Sequence, residues 1–135
     1  MLKLSKKSEY ALMAAIYLAL HSGNEYPTAK EIADNYNIPF QLVAKILQNL
    51  AKSNIAISFQ GVKGGYKLGR HPEEISLRDI ISSVEKNYKL TECMQEGGDT
   101  SNCTLVDCCK IRDPLVEIQR KIDDMFRQTS LRQIL

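Results

Sequence analysis

The first 92 residues of this 135-residue chain contain no cysteine, and no part of the chain contains a long uninterrupted apolar run. A membrane-spanning helix needs roughly 18 such residues, and the run over residues 10–20 is too short. Lysines precede this run, but no small-residue cleavage site follows it, and Glu9 and Tyr17 interrupt the pattern of a signal peptide. We therefore expect a cytoplasmic protein without a membrane partner, in which Ser5 caps a buried first helix that ends near Leu20.

The chain also lacks a polybasic tail and any recognisable catalytic arrangement. Its formal net charge is only +2, although residues 1–75 hold nine Lys/Arg against six Asp/Glu, and residues 76–135 hold nine against ten. This small N-terminal excess mildly favours phosphate contacts there. The two histidines, His21 and His71, have no nucleophile or carboxylate partner at a catalytic motif spacing. We expect a protein that is not an enzyme.

Capping and turn residues predict two successive helices in the N-terminal half. Thr28 and Glu31 have the spacing of a reciprocal capping box, which opens a short helix that ends near Tyr36. Asn37 tolerates the left-handed conformation that ends a helix, and Pro39 suits the first turn of the next one. The second helix, to about residue 53, has an apolar stripe of Val43, Ile46, Leu47 and Leu50 opposite a polar stripe of Gln41, Lys45, Gln48 and Lys52.

A hairpin with a glycine-rich tip is predicted directly after this helix pair. Residues 55–59 and 66–68 read as its strands, and residues 60–65 as its tip. A helix pair followed by such a hairpin is a winged helix, whose second helix enters the major groove with its N-terminal residues near base edges. Gln41 can bond to adenine, Lys45 can approach guanine or a phosphate, and Lys63 and Lys67 can supply counter-charge from the wing. The alternative is that the polar stripe is only a solvated helix face.

The C-terminal half predicts a helix that begins after Ser76 and a longer one beyond the cysteines. The longer helix has an a/d seam of Ile111, Leu115, Ile118, Ile122 and Met125 or Phe126. The predicted fold is mainly α with a small β-hairpin wing. Residues 1–75 would form the winged helix-turn-helix DNA-binding domain, and residues 76–135 a dimerisation region with a cysteine loop at about 93–109 and a long C-terminal dimerisation helix.

The cysteines stand at positions 93, 103, 108 and 109, too close together for a disulfide framework that ties distant segments. No C-x2-C pair is present, so the common zinc-ribbon pattern fails. Three of these thiolates could hold an iron–sulfur cluster with one outside ligand. The alternatives are a few free thiols packed as small hydrophobes, and a structural zinc site in which Cys108 is the fourth thiolate.

These residues resemble the Rrf-two family of winged-helix transcriptional regulators, whose members include an iron–sulfur cluster regulator and a nitric-oxide-responsive repressor. The resemblance rests on residues 8–12 (SEYAL), on the helix pair from Thr28 to Lys45, on residues 61–69 (GVKGGYKLG), and on cysteines followed by a long helix. It implies a homodimer whose C-terminal helices pair, and an operator of palindromic double-stranded DNA. It also implies an iron–sulfur cluster, with a two-iron form favoured over a four-iron form.

The resemblance also implies a ligand set for that cluster. Cys93 and Cys103 match the first two ligands, and Cys109 fits the third better than Cys108, which stays the alternative. The fourth ligand is a histidine in one branch of the family, but this chain has Arg112 there, which cannot ligate. Another branch uses a carboxylate of the partner subunit at the position of Glu9. The alternative for Glu9 is a solvated charge that is favourable near a helix N-terminus.

Together with the residue patterns, this resemblance implies a repressor whose operator binding is controlled by a cluster that senses iron–sulfur status, redox state or nitric oxide. The alternative is a cluster-free regulator that responds through thiol oxidation, a metabolite or a partner protein. The family often has arginine before the first glycine of the wing, where this chain has Gln60, so the target sequence is expected to differ. The predicted DNA-contacting residues are Thr28, Pro39, Gln41, Leu42, Lys45, Gln48, Gln60 and Lys63.

Overall fold

The computed structural model describes residues 3–21, 23, 25–86 and 111–135. Its architecture is mainly helical with one small antiparallel hairpin, as predicted. Within the described residues, the elements are α1 (Lys6–Leu20), α2 (Ala29–Tyr36), α3 (Phe40–Lys52), β1 (Ala56–Phe59), β2 (Gly65–Leu68), α4 (Leu77–Val84) and α5 (Arg112–Gln128). Short 3-10 helices follow β2 at Pro72–Glu74 and follow α5 at Leu131–Ile134.

Helix α1 is the central element of the fold. The hydroxyl of Ser5 accepts a hydrogen bond from the backbone N–H of Ser8 at 3.2 Å, which confirms the predicted N-cap. The helix packs against α3, α4 and β2. Small side chains such as Ala11 and Ala15 are fully buried on it and let these neighbours approach closely. None of the helices in the described ranges is long and apolar enough to cross a membrane.

The hairpin follows α3 after a short turn in which Asn54 has a positive φ of 61°. Its strands pair in antiparallel register from Ala56 opposite Leu68 to Phe59 opposite Gly65. Ile55, just before the hairpin, is fully buried in the core, and its carbonyl oxygen accepts a hydrogen bond from the N–H of Gly69 at 2.8 Å. The base of the hairpin is therefore fixed to the helical core.

The end of the chain returns to the core beside the start of α4. The N–H of Leu77 donates to the carbonyl of Thr129 at 2.9 Å, and the N–H of Leu131 donates to the carbonyl of Ile75 at 2.8 Å. Leu131 is fully buried in the same core cluster as residues of α1 and α3. Buried residues from both sides of position 75 therefore share one core, while the predicted division of the chain into two domains stays a prediction.

Helix α5 connects this returning segment to the part of the chain that contains the cysteines. Ile118 and Met125 of its predicted seam remain 45% and 65% exposed, and Ile111, which precedes the helix, is 62% exposed. Leu115 and Ile122 are partly exposed as well. A helix whose a/d seam is left open in a single chain has the surface that a paired helix would need.

Candidate nucleic-acid interface

The predicted helix pair is present, with a tight turn between α2 and α3. Asn37 adopts the left-handed conformation at φ 55° and ψ 46°, and its N–H donates to the carbonyl of Ala33. Ile38, the next residue, is 8% exposed and lies in the core between the two helices. Helix α3 begins at Phe40, so Pro39 is its N-cap and not its first helical residue as predicted. The shift is one residue, because the fixed φ of proline suits both the N-cap and the first turn, and Pro39 has an extended ψ of 132°.

The N-terminal capping of α2 differs from the predicted reciprocal box. The Thr28 hydroxyl accepts the hydrogen bond of the Glu31 N–H at 3.1 Å, as expected. The Glu31 carboxylate does not return to Thr28, since it accepts a hydrogen bond from the hydroxyl of buried Tyr17 on α1 at 2.8 Å. Asn35 donates to the same hydroxyl at 3.2 Å. Tyr17 thus ties the first helix of the pair to the central helix of the fold.

The environment of Tyr17 keeps its hydroxyl in the protonated, donating form. The hydrogen bond to the Glu31 carboxylate, followed by burial, raises the pKa of Tyr17 above its usual range. The ring of His21 stacks on the Tyr17 ring with centroids 3.9 Å apart, and the Nδ1 atom of His21 lies 2.9 Å from the Tyr17 carbonyl oxygen. His21 therefore has a packing role at the end of α1.

The polar stripe of α3 is open to solvent. Gln41, Lys45 and Gln48 are exposed, whereas Leu42 is partly buried. The opposite stripe is buried as predicted and consists of Val43, Ile46, Leu47 and Leu50. The residues predicted to read bases are thus accessible, and their contact with DNA stays a prediction.

The N-terminus of α3 differs electrostatically from that of the other described α-helices. Glu9, Glu31, Asp79 and Asp113 place a carboxylate in the first turns of α1, α2, α4 and α5, whereas α3 has none there and no side-chain cap. The partial positive charge of a helix N-terminus is normally favourable for anions. An acid-free first turn therefore leaves α3 able to approach the phosphates of a nucleic acid without local repulsion.

The tip of the hairpin is a tight, exposed turn. Gly61 has a φ of +106°, a conformation that favours glycine, and its carbonyl accepts a hydrogen bond from the N–H of Gly64 at 3.0 Å. Gln60, Val62 and Lys63 are all exposed. Gln60 and Lys63, the two wing residues in the predicted DNA-contacting set, are therefore accessible.

The segment before α2 supports the hairpin from one side. The Tyr66 N–H donates to the carbonyl of Pro27 at 2.8 Å. The rings of Tyr26 and Phe59 are stacked with centroids 4.2 Å apart, and the Lys67 ammonium lies 5.3 Å from the centroid of Phe59. Because Thr28 follows this segment directly, the start of α2 and the wing are held in one arrangement.

One exposed residue of α3 was missed by the sequence reasoning. Phe40 is three residues before Val43 and seven before Leu47, so the periodicity places it on the buried stripe. It is nevertheless 54% exposed, whereas Val43 and Leu47 are 2% and 0% exposed. Its position directly after Pro39, as the first residue of a recognition-type helix, is the sequence signal that could have identified it.

The predicted cluster ligands are described only in part. Cys93, Cys103, Cys108 and Cys109 lie outside the described residues. Glu9 is in the first turn of α1, where its half-exposed carboxylate forms an ion pair with exposed Lys6 at 3.1 Å. Whether Glu9 serves as a cluster ligand or only as a charge near the helix N-terminus stays a prediction. The described residues contain no group of three or more potential metal ligands.

Comparison with known proteins gives matches over nearly the whole chain. The family model Rrf2, described as an iron-dependent transcriptional regulator, matches residues 4–135. The HTH-type transcriptional regulator NsrR of Bacillus licheniformis is 30% identical over 134 residues, which cover 99% of this chain and 92% of NsrR.

Solved structures of similar proteins superpose on this fold. CymR of B. subtilis, described as its global cysteine regulator, has a TM-score of 0.75 at 26% identity, with 99% of this chain and 96% of CymR covered. IscR of T. potens has a TM-score of 0.74 at 23% identity, with 98% of this chain and 85% of that chain covered. At that identity, the second likeness supports the fold alone.

Proposed function

The chain belongs to the Rrf2 family of DNA-binding transcriptional regulators, a non-enzymatic family, and from this premise we propose that it is a dimeric repressor whose operator binding is controlled by an iron–sulfur cluster. The observation that carries the DNA-binding half of the proposal is the exposed polar stripe of α3 behind an acid-free N-terminus. A helix of this kind fits the major groove with its first residues near base edges. In the proposal, α3 reads the sequence and the hairpin tip contacts the backbone.

Within this proposal the eight predicted contact residues have different roles. Gln41 and Lys45 contact base edges, and Lys63 contacts phosphate. Thr28 and Pro39 are the N-cap residues of α2 and α3, and Gln60 directly follows β1, at the start of the wing tip. The remaining two also lie on α3, where Leu42 is partly buried and Gln48 is on the exposed face.

Two kinds of substitution separate base reading from phosphate binding. We expect Gln41→Ala or Lys45→Ala to weaken binding to a selected operator by about 1–3 kcal/mol while binding to random DNA changes little. We expect Lys63→Ala to weaken binding to both DNAs alike and to reduce the salt slope by about one. Fluorescence anisotropy at several salt concentrations measures both effects.

Lys52→Ala serves as the matched control, because Lys52 is exposed at the opposite end of α3. It should change binding less than Lys45→Ala does on the operator. Equal losses on operator and random DNA for Gln41→Ala would contradict its role as a base-reading residue.

The cluster half of the proposal rests on the donor set of the chain. Cys93, Cys103 and Cys109 would hold the cluster together with Glu9 of the partner subunit, because thiolates are the usual ligands of such clusters. Glu9 fits the fourth ligand position because its carboxylate is accessible. Its ion pair with Lys6 is on the surface, where such pairs contribute little stability, so breaking the pair to bind a cluster would cost little. When bound, a two-iron cluster supplies a centre that responds to iron supply, oxidation or nitric oxide, and a four-iron cluster is the alternative.

In the proposal, α1 links this centre to the DNA-reading unit. Glu9 is in the first turn of α1, which packs against α3 and β2. Tyr17 on the same helix holds the Glu31 carboxylate of α2 at 2.8 Å. A change in the position of α1 would therefore reach both helices of the pair and the wing.

Spectroscopy of anaerobically purified protein tests the cluster directly. We expect iron and sulfide together with visible absorbance, which disappear in Cys93→Ser, Cys103→Ser and Cys109→Ser. Cys108→Ser is the matched control and should keep the absorbance, since Cys108 is the spare thiol in this assignment. A wild-type protein that remains colourless and free of iron after reconstitution would contradict the cluster proposal and leave the DNA-binding proposal intact.

The homodimer of the proposal would form through the C-terminal helices. The seam residues of α5 that stay open in one chain support this arrangement. A dimer would place two α3 helices against half-sites about one helical turn apart, which explains the expected palindromic operator.

The second candidate is a cluster-free regulator that responds through thiols or a metabolite. It is favoured by the structural similarity to CymR, which is described as the global cysteine regulator of B. subtilis. The two candidates differ in a simple measurement. A cluster-free regulator would bind its operator equally with and without iron, and its response would follow thiol oxidation or an added metabolite.

A further inference from the structure

Phe40 stands apart among the exposed apolar residues of this chain. Within the described residues, the large apolar side chains with substantial exposure are Leu20, Phe40, Ile57, Val62, Ile111, Val116, Ile118, Met125, Ile134 and Leu135. Four of these belong to α5 or to its N-cap, and two to the chain end. Phe40 is the aromatic member of the set, and it is the first residue of α3. Single exposed apolar residues are common on protein surfaces, and what distinguishes Phe40 is that it begins the helix with the exposed polar stripe.

The geometry of a helix explains why Phe40 is exposed. Cα–Cβ bonds in an α-helix tilt toward its N-terminus, so the side chain of the first residue extends beyond the helix end. The stripe to which Phe40 belongs is buried from Val43 onward, and Phe40 lies one turn before that core begins. Its ring therefore projects from the end of α3 that, in the proposed function, approaches the floor of the major groove.

The surroundings of Phe40 favour DNA as the partner that its exposed side chain contacts. Its neighbours Pro39 and Gln41 are both exposed. The first turn of α3 has no acidic residue, and the basic residues of the helix are Lys45 and Lys52. Apolar side chains at the N-terminal end of a recognition helix discriminate bases by contact with the 5-methyl group of thymine. A phenyl ring has no hydrogen-bonding group to pair with the donors and acceptors of the other base edges, so the thymine methyl group is the contact that it suits.

We propose that Phe40 is a specificity-determining residue that contacts the 5-methyl group of a thymine in each operator half-site. The proposal rests on the proposed function, in which α3 enters the major groove, and it adds a base preference that Gln41 and Lys45 do not supply. Phe40 would sit next to the base read by Gln41, because the two residues are adjacent at the start of α3.

Replacement of thymine by deoxyuridine tests this contact, since it removes one methyl group and leaves all hydrogen-bonding groups in place. The probe is a duplex that wild-type full-length protein enriches from a random-sequence pool. Each thymine is then replaced in turn. We expect wild-type affinity to fall about three- to tenfold at one thymine position per half-site, the range expected for loss of one buried methyl contact.

Phe40→Ala should lose a similar factor on the thymine duplex and should bind the thymine and deoxyuridine duplexes equally. Phe40→Leu should keep part of the discrimination, because leucine retains an apolar side chain. Leu20→Ala is the matched control, since Leu20 is 62% exposed but lies outside the helix pair and the hairpin. It should discriminate as the wild type does. Circular dichroism confirms that each variant is folded.

The possible outcomes separate this inference from the function on which it rests. If Phe40→Ala distinguishes thymine from deoxyuridine as strongly as the wild type, or if no thymine replacement affects wild-type binding, the inference is wrong while sequence-specific binding stands. If the wild-type protein enriches no sequence at all, the proposed function fails, and the inference fails with it.

Discussion

Leu131→Ala is expected to lower the free energy of unfolding by about 2–5 kcal/mol, the range for removal of a buried leucine side chain. Leu131 is fully buried although it lies only four residues from the chain end. Its backbone N–H is held by the carbonyl of Ile75 at 2.8 Å, so the segment cannot easily move inward to fill the space that the smaller side chain would leave. The cavity term therefore adds to the lost burial of the side chain.

Leu135→Ala provides the matched control for this substitution. Leu135 is 45% exposed, and its replacement should change stability by no more than about 0.5 kcal/mol, as for most surface positions. Urea unfolding followed by circular dichroism, at one protein concentration for all variants, measures the difference. Equal stability of Leu131→Ala and Leu135→Ala would show that the chain end does not belong to the core.

Gly65→Ala is expected to lower stability by about 1–3 kcal/mol through overpacking and to weaken DNA binding at the same time. A Cβ atom at Gly65 would lie 2.3 Å from the carbonyl oxygen of Tyr26 and 2.7 Å from that of Pro27. Both are backbone atoms, so either β2 or the segment before α2 must move. That movement would disturb the hydrogen bond from Tyr66 to Pro27 and the stack of Tyr26 on Phe59, which hold the wing.

Gly23→Ala is the matched control, because a Cβ atom at Gly23 would meet no atom within 4 Å. It should leave stability unchanged or raise it by roughly 0.4–1 kcal/mol through a less flexible unfolded chain. Thermal unfolding and anisotropy with the selected operator measure both properties. A Gly65→Ala protein that matches Gly23→Ala in both would contradict the proposed support of the wing by residues 26 and 27.

Local sequence signals predicted the elements of this fold well. Ser5 caps α1, Asn37 ends α2 in the left-handed conformation, and Ser76 caps α4 in a reciprocal box with Asp79, each within a few residues of its partner. These interactions are short-range, so spacing along the chain is enough to predict them. The accessible stripe of α3 was predictable for the same reason, because helical periodicity places its residues on one face.

Interactions between elements could not be predicted in this way. The Glu31 carboxylate has the spacing for a capping box, yet it bonds to Tyr17, fourteen residues earlier on another helix. Phe40 has the spacing of a core residue, yet the buried stripe of α3 begins only one turn after it, at Val43. Periodicity assigns a residue to a face, but it does not say how far the neighbouring element extends along that face.

The sequence by itself determined the order of the helices and the hairpin, their starts to within about a residue in the helix pair and hairpin, which face of α3 is polar, and which family the chain resembles. Only the tertiary structure decided that Gly65 must lack a side chain and that Leu131 completes the core beside Ile75. It also decided that Phe40 projects into solvent. The physical reason is range, because caps and periodicity act between residues a few positions apart, whereas close backbone approach and core packing join segments that are distant in the chain.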